Sequence, residues 1–422
     1  MDGGVKEKIV LSIRDAQDRI LARTASLPGE RVPIDIALGR VLAEDLIAGR
    51  VLPPFDNSAM DGYAVRAADL DTAERAGLRV VGESRAGAGE LPELEAGTAV
   101  RIFTGAPMPP GADTVVIQEV TRREGDTVVV ERRPKPGANV RYAGEDVALD
   151  TLVLARGSVV DPGAIGLACA LGRTSLTVAG RPRVAILATG DELREPDEPL
   201  GPGQIVSSNT YAVAAQIAEA GGTPVSLGIA ADEKTIIRAR LERGLRYDMV
   251  LTLGGVSVGD YDLVRAVLDD LGWESSFWKV DMKPGKPLSV GWLGGVPIIG
   301  LPGNPASSMV TFELFVRPAL RRMLGHADVF RRQIAVPLAA DYRKDDQRAH
   351  VVRCRLRRAN GTVVLEPLVK QGSGMLTSMV GVDALAIIDT PPGVLAAGTV
   401  LDALVLREDH GAAGLDGMPP GR

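Results

Sequence analysis

Residues 181–326 predict an α/β domain on a mostly parallel sheet, one part of a multidomain chain. Three observations carry this. Val184-Ala185-Ile186-Leu187-Ala188 is an unbroken apolar run, as a strand covered on both faces requires. Strand-like runs at 224–229, 249–253 and 296–299 alternate with helical stretches at 209–220, 232–245 and 262–271. At 422 residues, the chain is longer than one hydrophobic core usually serves. A strand pair near 277–281 and 287–292 and a long helix over 305–323 complete this domain.

The flanking elements follow in order. Ile9, Ile13, Ala16, Ile20 and Leu21 recur at helical spacing within 5–25. Residues 35–46 read as a second helix. Residues 161–171 read as a third, with Asp161 as cap and Pro162 at the first position. These helices group into a helical linker region, 1–46 plus 147–180. Between them, Val-rich runs at 78–82, 99–103, 114–120 and 127–131 with intervening Gly and Pro predict an inserted β-rich lobe, 47–146. Short β runs with turns at Asn360-Gly361 and Pro391-Pro392-Gly393 predict a small C-terminal β-barrel-like domain over 327–408. The Gly- and Pro-rich segment 409–422 reads as a disordered tail.

Composition narrows the chemistry. A net charge of −6 argues against a nucleic-acid partner, so an anionic substrate needs a local cluster of cations or a metal. Cys169 and Cys354 are too few and too far apart for a disulfide framework or a thiolate zinc site. With only His326, His350 and His410, a histidine-based metal site or a Ser-His-Asp triad is not expected, and any metal should be hard and oxygen-bound. No signal peptide and no membrane-spanning run is recognisable, which leads us to expect a cytoplasmic protein without membrane contact.

The segment Pro53-Pro54-Phe55-Asp56-Asn57-Ser58-Ala59-Met60-Asp61-Gly62-Tyr63-Ala64-Val65 crowds short polar side chains between a proline turn and a strand-like run. Such a loop suits gripping a ligand, although Asp, Asn and Ser also close turns on their own backbone. In the α/β domain, four loops each follow a strand: Thr189-Gly190-Asp191-Glu192, Asp232 with Glu233, the run from Gly254 to Asp262, and the run from Gly300 to Asn304. A parallel sheet should bring these loops to one rim, where such folds bind ligands. Asn304 and Pro305 should open a helix whose first N–H groups, at Ala306, Ser307 and Ser308, point outward at an anion, with the serine hydroxyls assisting. Gly254-Gly255-Val256-Ser257-Val258-Gly259 is a second phosphate cradle, and Lys279, Lys283 and Lys286 supply positive charge. Asp191, Glu192, Asp232, Asp260 and Asp262 would repel an anion unless a divalent cation, Mg²⁺, sits between. Asp232 and Asp262 each precede a helix and could serve instead as N-caps.

The segment 53–65 resembles the signature of the MoeA family of molybdopterin molybdenumtransferases, which includes the E domain of gephyrin. Phe103-Thr104-Gly105-Ala106-Pro107, Gly144-Glu145-Asp146, Thr189-Gly190-Asp191-Glu192-Leu193, Gly254-Gly255-Val256-Ser257-Val258-Gly259-Asp260, Lys283-Pro284-Gly285-Lys286-Pro287 and Leu301-Pro302-Gly303-Asn304-Pro305 match in order, over roughly residues 5–405. The resemblance implies a MogA-like α/β domain. It also implies insertion of molybdenum, taken from molybdate, into adenylylated molybdopterin with Mg²⁺ and release of AMP. Glu192, Asp232, Asp260, Lys279, Lys283, Lys286, Pro302 and Pro305 fall on functional positions of the family in the α/β domain, as do Asp61 and Thr104 in the inserted lobe. In this reading Glu192, Asp232 and Asp260 hold the metal. Gly254, Gly255, Ser257, the lysines, Pro302, Asn304, Pro305 and Ser307 bind substrate. The local order Gly-Asp-Tyr-Asp leaves open whether Asp260 or Asp262 does the work. The resemblance also implies a homodimer whose site is shared across a two-fold interface, with a molybdopterin adenylyltransferase as a possible partner. The alternatives are an adenylyltransferase, whose usual form is the α/β unit alone, and a non-catalytic gephyrin-like scaffold.

Overall fold

The apolar run at 184–188 forms β1 (Arg183–Thr189), buried from Val184 onward. A computed structural model describes residues 10–407 except 88, 256–262 and 360. β1 pairs in parallel with β2 (Thr223–Ala230) on one side and β3 (Met249–Leu253) on the other. β4 (Glu274–Lys279), β5 (Pro287–Leu293) and β6 (Val296–Leu301) complete a six-stranded sheet in the order β2-β1-β3-β6-β5-β4. β6 is parallel to β3, whereas β5 and β4 run antiparallel to their neighbours.

Helices Ser208–Glu219, Lys234–Gly244 and Leu263–Asp270 make the crossovers. Because they cover both faces, successive residues of β1 face different cores. Val184 and Ile186 pack with Ile217, Val310 and Phe315, while Ala185 and Leu187 pack with Ile237, Leu241 and Val267. This two-sided burial is why the run lacks polar alternation.

After β6 the chain enters one continuous helix in three parts, Pro305–Thr311, a π-helical turn Phe312–Val316, and Arg317–Met323. Pro318 accounts for the widened turn, since its ring would clash with the carbonyl of Leu314 and it has no N–H to donate there. The Leu314 carbonyl accepts instead from Gln17 Nε2 at 2.9 Å.

The described residues form two compact units, one from within Met1–Glu30 and Ala179–Arg422, the other from within Arg31–Val178. Helix Ile13–Ala22 starts at Ser12, whose hydroxyl accepts from the Asp15 N–H, and buries Ala16 and Ile20 in the core of the first unit. Helix Pro162–Ala170, capped by Asp161, lies in the second. The two helices therefore do not belong together as expected. The helix expected over 35–46 does not form. Its place is taken by a single 3₁₀ turn, Ile34–Ile36, isolated bridges at Val41 and Leu42, and strand Leu46–Ile47. Partners more than a hundred residues away satisfy this backbone: Gly39 donates to Val160 and Leu42 to Ser158.

The inserted lobe holds its own six-stranded sheet, in the order Thr114–Ile117, Gly62–Val65, Thr98–Ile102, Leu78–Ser84, Thr127–Val130, Thr121–Glu124. Tyr63 and Val65 face one apolar cluster and Ala64 the other. Gly62 is needed for lack of space rather than for an unusual φ, because a β-carbon there would collide with the Val116 carbonyl. The C-terminal region is antiparallel, built on Ala349–Ala359, Ala384–Ile388, Val400–Val405 and Gln333–Pro337, with Thr362–Pro367 paired to the first of these. Strand Met282–Lys283 adds to it in parallel. Among the described residues, no helix is long and apolar enough to cross a membrane.

Candidate active site

Register fixes where the motif loops emerge. Thr189 pairs with Ala230, Ala188 with Leu253, and Leu253 with Leu301, so the four parallel strands end level with one another. The residues that follow, including Glu192, Asp232, Gly254, Gly255, Pro302 and Asn304, leave from one rim. The lysine loop joins them by antiparallel pairing: Ser289 on β5 opposes Gly300 on β6, and Pro287 opposes Lys279 on β4. Lys279, Lys283 and Lys286 thus lie on the connection that turns at this same edge. Ser257, Asp260 and Asp262 lie outside the described residues.

The loops touch one another. The Asp232 N–H donates to Asp191 Oδ1 at 3.1 Å, and Asn209 Nδ2 donates to the Gly303 carbonyl at 2.7 Å. Gly255 takes φ +63° beside Val264, whose Cγ2 would lie 2.7 Å from any β-carbon placed there, so neither the backbone angle nor the space admits another residue. Asp191, Glu192 and Asp232 are all exposed, and the Glu192 carboxylate folds over the place where a side chain of Gly190 would be. Asp232 does not cap the following helix. Glu233 holds the cap position, and its carboxylate accepts from the Thr235 hydroxyl. The capping alternative for Asp232 thereby falls away.

The helix start differs from expectation. The Ala306 N–H is not free but donates to the Ser373 carbonyl at 3.0 Å. Asn304 occupies the cap position without a side-chain capping bond, and its Nδ2 donates to Ser373 Oγ at 3.2 Å. Ser307 and Ser308 are buried, so their hydroxyls do not face the rim, and Pro302 is buried as well. The reason is a segment of the C-terminal region that packs over the first turn, a contact made by residues almost seventy positions away. What remains exposed there is Gly303 and Asn304, with Pro305 half-buried.

Lys283 is equally engaged. Its Nζ lies 2.8 Å from Asp345 Oδ1 and 3.3 Å from Asp346 Oδ2. The hydrogen bond to Asp345 raises its pKa above the ordinary lysine value despite some burial, and the same bond lowers that of Asp345. His350 completes the cluster, with Nε2 3.1 Å from Asp346 and Nδ1 3.0 Å from the Tyr342 hydroxyl. Among the described residues, only Asp345, Asp346 and His350 bring three metal-ligand atoms within 4.8 Å of one another. The Lys283 ammonium already sits where a cation would neutralise them. Glu192 and Asp232 do not form such a group with a third described residue, and Asp260 cannot be placed. Their donor set of exposed carboxylates nonetheless fits Mg²⁺, which needs only one or two of them beside substrate oxygens.

In the inserted lobe, Asp61 and Thr104, forty-three positions apart, come together. Both the Thr104 N–H and its hydroxyl donate to Asp61 Oδ1, each at 2.7 Å. The backbone bond first, then the hydroxyl, hold the Asp61 carboxyl below its usual range. Arg101 lies behind them, donating to the Gly62 carbonyl at 2.9 Å and to Gln118 Oε1 at 2.6 Å. Sequence reasoning missed Arg101, Asp345, Asp346 and Ser373; none stands inside a motif, and only the folded pairing identifies them.

Three family models cover the chain: MoeA N-terminal region (domain I and II) matches residues 11–172, the probable molybdopterin binding domain residues 185–322, and MoeA C-terminal region (domain IV) residues 335–406. The chain belongs to the MoeA family. It is 40% identical over 382 residues to molybdopterin molybdenumtransferase 2 of Mycobacterium tuberculosis, covering 88% of this chain and 93% of that protein. It is 37% identical over 415 residues to the molybdopterin molybdenumtransferase of Nostoc sp., covering 94% and 93%. The crystal structure of the molybdopterin biosynthesis MoeA protein from Pyrococcus horikosii superposes with a TM-score of 0.83 at 31% identity, covering 94% of this chain and all of that one. The multidomain architecture is thus that of the MoeA family.

Proposed function

We propose that this chain is a molybdenum insertase of molybdenum cofactor biosynthesis, which takes molybdenum from molybdate, transfers it to adenylylated molybdopterin and releases AMP. One observation carries the reading: loops bearing Glu192, Asp232, Gly254, Gly255 and Asn304 and the lysine connection all emerge at one rim of the sheet. The names of its MoeA-family relatives support the same chemistry.

In this reading the backbone at Gly254 and Gly255 approaches the phosphates closely, where a side chain would keep them apart. Lys279, Lys283 and Lys286 balance the anionic charge, with Lys283 aimed by Asp345 and Asp346. Glu192 and Asp232, with Asp260, would hold Mg²⁺, which when bound neutralises charge on phosphate oxygens. Pro302 and Pro305 shape the last loop, and Asn304 lies beside the substrate. Asp61, fixed by Thr104, would close the site as a carboxylate from the second subunit of a homodimer. A molybdopterin adenylyltransferase would supply the substrate.

The test is to incubate the purified chain with adenylylated molybdopterin, Mg²⁺ and molybdate and to follow AMP. Release that depends on molybdate and occurs without an adenylyltransferase is the expected result. A chain that instead adenylylates molybdopterin from ATP would overturn the proposal.

A further inference from the structure

A cavity of about 810 Å³ opens against the far part of the long helix and is lined by Arg317, Arg321, Arg331, Arg407, Glu219 and Glu313 among others. Arg321 lies sixteen residues beyond Pro305, about 24 Å along the helix from the rim, so this is a separate place. Among the described residues, four guanidinium groups line the cavity against two carboxylates, an excess of two positive charges.

The acids are already committed. Buried Glu313 accepts from Arg331 Nε at 3.1 Å and Nη2 at 3.3 Å, and stands 3.9 Å from Arg317 Nε. Glu219 accepts from Arg331 Nη2 at 2.7 Å. Arg321 is left over. Its Nε is buried with no hydrogen-bond partner, and no carboxylate pairs with it among the described residues. Burial first, then the charge of Arg331, push Arg317 down to about 10 and lower Arg321 also. The widened turn at Phe312–Val316 presents Glu313 and Arg317 to this cavity, and such turns frequently occur at functional sites.

We propose that this cavity binds a tetrahedral dianion, held by Arg321 and Arg317 with Arg407 at the edge. A guanidinium fork matches such an oxyanion in two parallel hydrogen bonds. The dianion supplies the charge that Glu219 and Glu313 do not. The volume admits either a bare oxyanion or a phosphate monoester. This inference is independent of the reading of the rim.

The test is calorimetric titration of the full chain with inorganic phosphate, molybdate or AMP, and with adenosine as the neutral control, at an ionic strength fixed by chloride. A background carrying Lys283→Ala and Lys286→Ala removes binding at the rim. One dianion per chain is expected, with Arg321→Gln raising Kd at least tenfold and Arg321→Lys restoring part of the loss. AMP binding tighter than phosphate assigns the monoester, and equal binding assigns the bare oxyanion; either supports the site. Thermal melts supply a second reading. Phosphate should raise Tm of the parent, and Arg321→Gln should melt no lower than the parent in phosphate-free buffer, because it removes an unpaired cation. Absence of binding by all three dianions, binding unchanged by Arg321→Gln, or a lower phosphate-free Tm for that variant would overturn the proposal.

Discussion

Thr104 gives Asp61 Oδ1 two hydrogen bonds, one from its N–H and one from its hydroxyl, both at 2.7 Å. The pair fixes the direction of an accessible carboxylate and keeps it charged. Thr104→Val retains the N–H and deletes the hydroxyl, so the Asp61 pKa should rise toward the ordinary aspartate value while staying below it. Carboxyl-carbon NMR titration checks this. The sign follows from linkage: a carboxyl held low in the folded state stabilises it above the ordinary aspartate pKa, and that contribution is lost as pH falls through the folded value. Thr104→Val should therefore narrow the acid side of the stability profile.

Glu192 is exposed, and its backbone rather than its carboxylate anchors the loop, through its carbonyl and the Ile205 N–H at 2.8 Å. Glu192→Gln should fold normally, with stability within about 0.5 kcal/mol of the parent. AMP release should fall by about a hundredfold or more, as on loss of an electrostatic contact made in the transition state. Normal turnover would remove Glu192 from the mechanism.

A shared site makes a distinctive prediction for mixed dimers. One subunit carrying Asp61→Ala and the other carrying Glu192→Gln leave one complete site, so the mixture should regain activity that neither homodimer has. A mixed dimer as inactive as its parents would exclude sharing across subunits.

Glu313 is buried between Arg331 and Arg317. Glu313→Gln leaves Arg317 without its counter-charge and Arg331 with Glu219 alone, and should cost about 3 to 5 kcal/mol, read as a lower midpoint in denaturant. Glu219→Gln, at the solvent edge of the same network, should cost less than about 1 kcal/mol.

The Lys283 pair with Asp345 is largely solvent-exposed and should add less than about 1 kcal/mol to stability. In the proposed reading, it serves to aim the ammonium. Asp345→Asn should leave Tm nearly unchanged and raise KM for the anionic substrate more than it lowers kcat. The raised pKa of Lys283 gives the pair a stability contribution that is full below the ordinary lysine pKa and is lost as pH rises through the folded value.

The α/β sheet was legible because two-sided burial writes itself as apolar runs, and because parallel strands have only one rim at which to release their loops. The inserted lobe was legible from its Val-rich strands for a similar reason. Residues 35–46 were not. Ala37, Leu38, Leu42 and Ala43 are good helix formers, yet Val41 and Leu42 bridge to Val159 and Val178, and these distant pairings outweigh local preference. The open helix start at Asn304 was misread for the same physical reason. Whether an N–H is free depends on what packs over it, and Ser373 arrives on a turn between strands Thr362–Pro367 and Ala384–Ile388. Asp345 and Asp346 left no local mark because their role exists only once Lys283 joins the C-terminal strands.

The turn at Phe312–Val316 also has an angular consequence. Each residue of an α-helix advances the screw by about 100°. The widened turn spends one extra residue on the same circuit, so deleting one residue there would let the rod wind evenly while both ends kept nearly their present headings. Inserting a residue into the α-helical part Pro305–Thr311 would instead swing Arg317 and Arg321 by roughly that angle and turn them from their present neighbours. The turn is thus slack that can take up the loss of a single letter of sequence.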